Sequence, residues 1–309
     1  MTSDLRSGAT DAVAALDAAV CSDGAPSARN LIVTVFGDLV LPNEASIGEV
    51  SVQDLAALLA PFGVNERLVR TSLSRIVAEG LLTSRTEGRR SRYSVAGPAR
   101  ATFDRADRRI YGGPAGEWDG EWTVVVIDGT SSTTADRAEI RRRLGWAGFG
   151  SIGPNLMASP FVDAAAAADV VGDAEPGSVL IARSRILDGD GLIGTEQLVR
   201  RSVDLEAAEL AHGNLLDSFG AFDEGVLSAL DDERCLKLRL LLVARFRRVA
   251  LAEPSVPPSL LPNDWVGHRS RQLAARVYEA LVERSDRAAG RIVGADCSTP
   301  AQRFSRSSD

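Results

Sequence analysis

The stretch from Ser51 to Val95 constrains this chain more than any other. Ser51-Val52-Gln53-Asp54 has the pattern of a capping box, in which the serine oxygen accepts from an amide three residues on and the acid reaches back. Val52, Leu55, Ala56, Leu58 and Leu59 follow at helical spacing. Pro61 and Gly63 stop that helix, Asn65 caps the next, and Gly80 closes it. Leu82–Arg85 and Arg92–Val95 predict two short strands around a turn, Thr86–Ser91, where Gly88 can take positive φ. Helix, turn, helix and hairpin in this order predict a winged helix-turn-helix.

The second helix of the pair is two-faced. At about 100° per residue, Val69, Leu73, Ile76 and Val77 fall on one side, and Arg67, Arg70, Thr71, Ser74 and Arg75 on the other. A guanidinium can bond guanine O6 and N7 together, and hydroxyls can reach bases or phosphates. Taken alone, the pattern equally describes a solvated amphipathic helix. The hairpin tips the balance. Clustering Arg89, Arg90 and Arg92 at its tip gains no stability, because like charges repel, yet it suits phosphates or a minor groove. Charge distribution agrees. The chain carries −7, but residues 65–109 hold eleven arginines, no lysine and five acids, a local +6 that leaves −13 on the remainder. An acidic protein with one basic window binds double-stranded DNA only through that window.

The remaining sequence divides by its punctuation. The 309 residues leave room for two or three domains. The expected fold class is α+β multidomain: an extension over 1–27, the winged helix over 28–97, a linker helix over 98–114, a β-α-β-β-α-β ferredoxin-like sandwich over 115–200, a helical domain over 201–290 and a flexible tail over 291–309. Cys21, Cys235 and Cys297 are too far apart to suggest a metal site or a disulfide framework, and no apolar run could span a bilayer, so a cytoplasmic location is expected.

Five motifs in order resemble the PaaX family of bacterial transcriptional regulators, over about Ala28 to Arg284. They are Gly88-Arg89-Arg90-Ser91-Arg92-Tyr93, Arg109-Ile110-Tyr111, Trp118-Asp119-Gly120-Glu121-Trp122, Leu144-Gly145-Trp146-Ala147-Gly148-Phe149-Gly150, and Leu260-Leu261-Pro262-Asn263-Asp264-Trp265-Val266-Gly267. Met157, Val266 and Glu253-Pro254 depart from the family pattern. The resemblance implies a Cas2-like middle domain and a homodimeric repressor of phenylacetate or related aromatic catabolism. It also implies release by an aryl-acetyl coenzyme A thioester, phenylacetyl-CoA or another acyl-CoA. Such an effector needs an apolar slot and cations, for which Trp146, Phe149, Trp265, Tyr278 and Arg245 are candidates, with Arg141 to Arg143, Arg247 and Arg248 as further cations.

Rival chemistries are weaker. Gly148-Phe149-Gly150-Ser151-Ile152-Gly153 fits G-x-G-x-x-G, with Asp169 beyond it, but the motif follows a predicted helix and precedes Pro154. A Cas2-like nuclease would need more metal ligands than Asp128. His212 and His268 lack helical or cysteine partners and are expected at the surface or at an interface. Neither a catalytic residue, a metal ligand nor a bound cofactor is therefore predicted.

Overall fold

The computed structural model describes residues 24–304 except 89, 113–117, 130–132, 161, 173, 188–193, 203–204, 253–257, 262–263 and 301–302. The chain divides into two compact units. One joins Met1–Gly113 to His212–Ala250 and His268–Asp309; the other joins Pro114–Ala211 to Leu251–Gly267.

The first unit opens with α1 (Ala28–Val35), capped by Ser27, whose Oγ accepts from the Asn30 amide at 3.2 Å. Leu31, Ile32, Val35 and Phe36 face inward as their spacing predicts. A π-helical turn, Phe36–Val40, continues it and buries the carboxylate of Asp38. Then come β1 (Val50–Ser51), α2 (Val52–Leu59), α3 (Glu66–Ala78), β2 (Leu82–Glu87), β3 (Arg90–Val95) and α4 (Arg100–Tyr111). The capping box at Ser51 and Asp54 forms in full. Gly63 and Gly80, at φ 72 and 74, supply the left-handed residues that end α2's turn and α3. The strands form an antiparallel sheet in the order β1-β3-β2. They run longer than the expected 82–85 and 92–95, so the tip shrinks to the link between Glu87 and Arg90, with Gly88 at φ 63.

The second unit contains β4 (Glu121–Ile127), α5 (Thr134–Ala147), β5 (Gly150–Gly153), β6 (Leu156–Ser159), α6 (Ala164–Val171), β7 (Val179–Arg185) and α7 (Thr195–Ser202). Its antiparallel sheet has the order β5-β6-β4-β7, so the first strand sits between the third and the fourth. Alternation along β4 serves both faces. Val125 and Ile127 pack with Ile140, Leu144, Phe149, Met157, Ala167 and Val171 on one side. Trp122, together with Ala158, packs against Leu198 and Val199 of α7 on the other.

Four helices complete the chain: α8 (Leu205–Phe219), α9 (Glu224–Ala229), α10 (Asp232–Ala252) and α11 (Val266–Val293). The sequence suggests that residues 201–290 form a body apart, yet Leu236, Leu240 and Ala244 of α10 and Ala288 and Ala289 of α11 enter the same core as α1, α2 and α3. From Cys235 to Phe246 every side chain except Lys237 is buried, which a helix shows only when it is surrounded. Residues 291–309, expected as a flexible tail, are corrected where described: α11 runs to Val293, Cys297 and Phe304 are buried, and the Arg303 side chain is 9% exposed. Residues 1–23 and 305–309 lie outside the described residues.

Candidate nucleic-acid interface

The face of α3 opposite its core carries a polar arc. Val69, Leu73 and Ile76 are fully buried, whereas Arg67, Arg70, Thr71, Ser74 and Arg75 are all exposed. Asn65 Oδ1 accepts from the Leu68 amide at 3.0 Å and starts the helix there. Arg70 is tied to Glu66 one turn back at 2.8 Å, and the Thr71 hydroxyl donates to the Arg67 carbonyl. Arg67 and Arg75 have no ion-pair partner among the described residues. Their donors are thus available to an external acceptor.

The hairpin differs from its expected form. Arg92 lies within β3, opposite Arg85 and Ser51, and not at the tip. Glu87 pairs with Arg90 two positions nearer the tip, and Arg85, Glu87 and Arg92 occupy one face by the two-residue period. The other face carries Tyr93 and Val95, which pack on the core. Glu87 sits 3.9 Å from Arg85 and 3.4 Å from Arg92. Glu49 holds Arg85 through two hydrogen bonds, 3.1 and 2.7 Å, and this pairing keeps the Glu49 carboxyl below its ordinary range. Arg85 is a member of the basic face that the expected strand pattern omits, although alternation with Glu87 would have placed it there. Arg89 and the side chain of Arg90 lie outside the described residues.

The same unit contains a buried ionic network. Arg239 of α10 is wholly buried and donates to Asp38 Oδ2 at 2.7 Å, Asp286 Oδ1 at 2.6 Å, Thr299 Oγ1 at 2.8 Å, and the Ser285 and Tyr278 hydroxyls at 3.0 Å. Tyr111 and Tyr278 donate to Asp38 Oδ1 at 2.6 and 2.9 Å. Arg303 adds bonds to the Asp38 carbonyl, at 2.8 Å, and to Asp107, and lies over the Tyr111 ring. Burial pushes the Asp38 carboxyl up, but Arg239 and Arg303 outweigh it and hold the group below its usual range. Burial and the Asp38 charge push the Tyr111 phenol well above its own.

Residues 27–99 match the family described as PaaX-like protein, residues 115–189 the PaaX protein central Cas2-like domain, and residues 203–291 the PaaX-like protein C-terminal domain. The Escherichia coli K12 transcriptional repressor PaaX is 32% identical over 259 residues, which cover 82% of this chain and 80% of that protein. The chain belongs to the PaaX family. An uncharacterized 16.5 kDa protein of Latilactobacillus sakei is 27% identical over 100 residues, covering 32% of this chain and 68% of its own. A solved structure of an uncharacterized Mycobacterium tuberculosis protein has the same fold, with a TM-score of 0.51 at 21% identity over 84% of this chain and 98% of that one.

Membership of the PaaX family places the motifs without explaining all of them. Of the five expected effector residues, Trp146, Phe149 and Trp265 belong to one unit and Arg245 and Tyr278 to the other. Trp146 is 77% exposed on α5, and Phe149 is a core residue of the sheet unit. Tyr278 belongs to the Asp38 network, and Arg245 donates to the Gly24 carbonyl at 3.2 Å beside the Phe219 ring. Trp265 is buried in the other unit from Tyr278. A cavity of about 260 Å³ beside Arg303, lined among others by Phe103, Arg108 and Tyr111, is lined by none of the five. The glycine motif is a helix end followed by a hairpin: Gly148, at φ 104, terminates α5, and a turn joins β5 to β6. Arg141 spans that loop, donating to the carbonyls of Gly153 and Pro154. Asp128 follows β4, and no cluster of three metal-ligating side chains occurs among the described residues. His212, expected at the surface or at an interface, is buried, with Nδ1 2.5 Å from Ser270 Oγ. No described helix is long and apolar enough to cross a membrane.

Proposed function

We propose that this protein is a DNA-binding transcriptional repressor of phenylacetate or related aromatic catabolism, and that Val50–Val95 is its winged helix-turn-helix. The exposed polar arc of α3 carries the reading, and similarity to the Escherichia coli repressor supports it. α3 enters the major groove, where Arg67 and Arg75 meet bases, while Arg85 and Arg92 on the hairpin meet phosphates, with Arg89 and Arg90 as further candidates from the sequence. The middle unit is a ferredoxin-like sandwich, in keeping with its element order and sheet order. The protein acts as a homodimer on two half-sites about one helical turn, or a multiple of it, apart. An aryl-acetyl-CoA thioester, phenylacetyl-CoA first among them, releases it by binding the two arrangements of the dimer with different affinity.

Fluorescence anisotropy with the DNA upstream of the neighbouring catabolic genes tests this reading. Arg67→Ala and Arg75→Ala are expected to cost about 1–3 kcal/mol per half-site and to relax specificity. Wild-type affinity in both variants overturns the assignment of α3. The effector is tested separately: phenylacetyl-CoA raises the thermal midpoint and dissociates the complex, and the absence of both effects removes it from the scheme.

A further inference from the structure

One side chain breaks the chemistry of the α3 surface. Leu68 is 47% exposed, one of five large apolar side chains so exposed among the described residues, although the next residue, Val69, is fully buried. The bond from its amide to Asn65 Oδ1 fixes it in the first turn of the helix. At about 100° per residue it borders the polar arc, next to Thr71 and Arg75, three and seven positions on, both exposed. About half of this apolar side chain therefore stays in water, beside residues of the polar arc. Arginine and serine on the arc recognise hydrogen-bonding groups. Neither senses the C5 methyl group of thymine, which only an apolar contact detects. The first turn of a recognition helix is the part that reaches base edges.

We infer that Leu68 is a specificity-determining residue that packs on a thymine methyl group in the major groove. The inference rests on the operator reading of α3 and refines it. Arg75 lies on the same side of the helix two turns further on, so the surface offers an apolar contact for thymine and a guanidinium for guanine.

The test uses the full-length protein and duplexes that it selects from a random-sequence pool. Each thymine is then replaced in turn by deoxyuridine, which removes only the methyl group. Wild type is expected to lose about fourfold in affinity at one thymine position per half-site, the weight of one buried methyl. Leu68→Ala should lose that sensitivity and keep any others. Leu68→Met, which keeps an apolar contact, should retain it. Thr71→Ser, which removes the other methyl group of the arc, should also retain it. A wild-type uracil pattern in Leu68→Ala, or indifference of wild type to every replacement, overturns the inference. If Arg67→Ala and Arg75→Ala still bind more weakly in that case, only the leucine assignment falls; if they bind like wild type, the operator reading falls with it.

Discussion

Replacing Arg239 with Met tests whether the buried network is one interaction or several. The methionine keeps most of the volume and removes every donor. Asp38 then loses its 2.7 Å partner inside a site where Arg239 is 0% and Asp38 1% exposed. Breaking one side of a buried ion pair costs roughly 3–5 kcal/mol. Asp38 keeps Tyr111, Tyr278 and Arg303 as donors, and Asp286 is nearer solvent, so the lower end applies, about 3 kcal/mol. With a urea slope of about 3 kcal/mol per molar, the unfolding midpoint falls by about 1 M. Asp38→Asn should cost a similar amount. The double variant should cost far less than the two singles together, because each single already breaks the shared pair.

The pH dependence has a definite sign. In wild type the Asp38 value is depressed, so its contribution is present above the unfolded value, near 4, and is lost only as pH falls through the lower folded value. In Arg239→Met, burial is less opposed and the folded value rises. The destabilisation is then full at neutral pH and shrinks as pH falls towards 4 and Asp38 takes up a proton. A midpoint shift under about 0.2 M, or additive costs in the double variant, would refute the coupled network.

Other consequences are simpler to measure. Glu87→Gln frees Arg92 from its carboxylate partner while Glu49 still holds Arg85, and it removes a negative charge from the basic face, so DNA affinity should rise. The salt dependence should steepen by about one unit of slope for each further phosphate that these arginines neutralise, read by anisotropy across a salt series. Ser51→Ala removes the N-cap of α2 and should lower stability by about 0.5–2 kcal/mol in urea titrations, with the loss in the unit that holds α3. Burial pushes the thiols of Cys235 and Cys297 up to about 11, so both should resist iodoacetamide at pH 8 until the protein unfolds, as peptide mass mapping would report.

The legible parts of this fold are the local ones. Ser51, Gly63, Asn65 and Gly80 act within a few residues of themselves, and each does in the structure what its neighbours predict. The polar arc of α3 was legible for the same reason, because a helix repeats every 3.6 residues wherever it packs. The hairpin was half legible. Its turn residue was plain, but the register that puts Arg92 opposite Arg85 depends on how far the ladder extends, and Glu87 reads as a tip residue until it is paired. The Asp38 network could not be read at all, since Asp38 and Arg239 are 201 positions apart and a lone aspartate in an apolar helix names no partner. The effector candidates were chosen by residue type alone, and aromatic type carries no address. Phe149 fills a sheet core and Tyr278 an ionic one.

The surrounded helix α10 has a consequence for biosynthesis. Its Leu236, Leu240 and Ala244 are part of the core on which α1, α2 and α3 close. A nascent chain that has released the first hundred residues still lacks that wall. At roughly 5–20 residues per second the ribosome needs on the order of 10–30 s to deliver it, and longer for Arg239's neighbours on α11. During that interval the apolar side of the reading head faces water, the condition under which chaperones are recruited. A fragment ending after the hairpin would remain in that state indefinitely, which makes the C-terminal helices a checkpoint that only fully translated molecules pass.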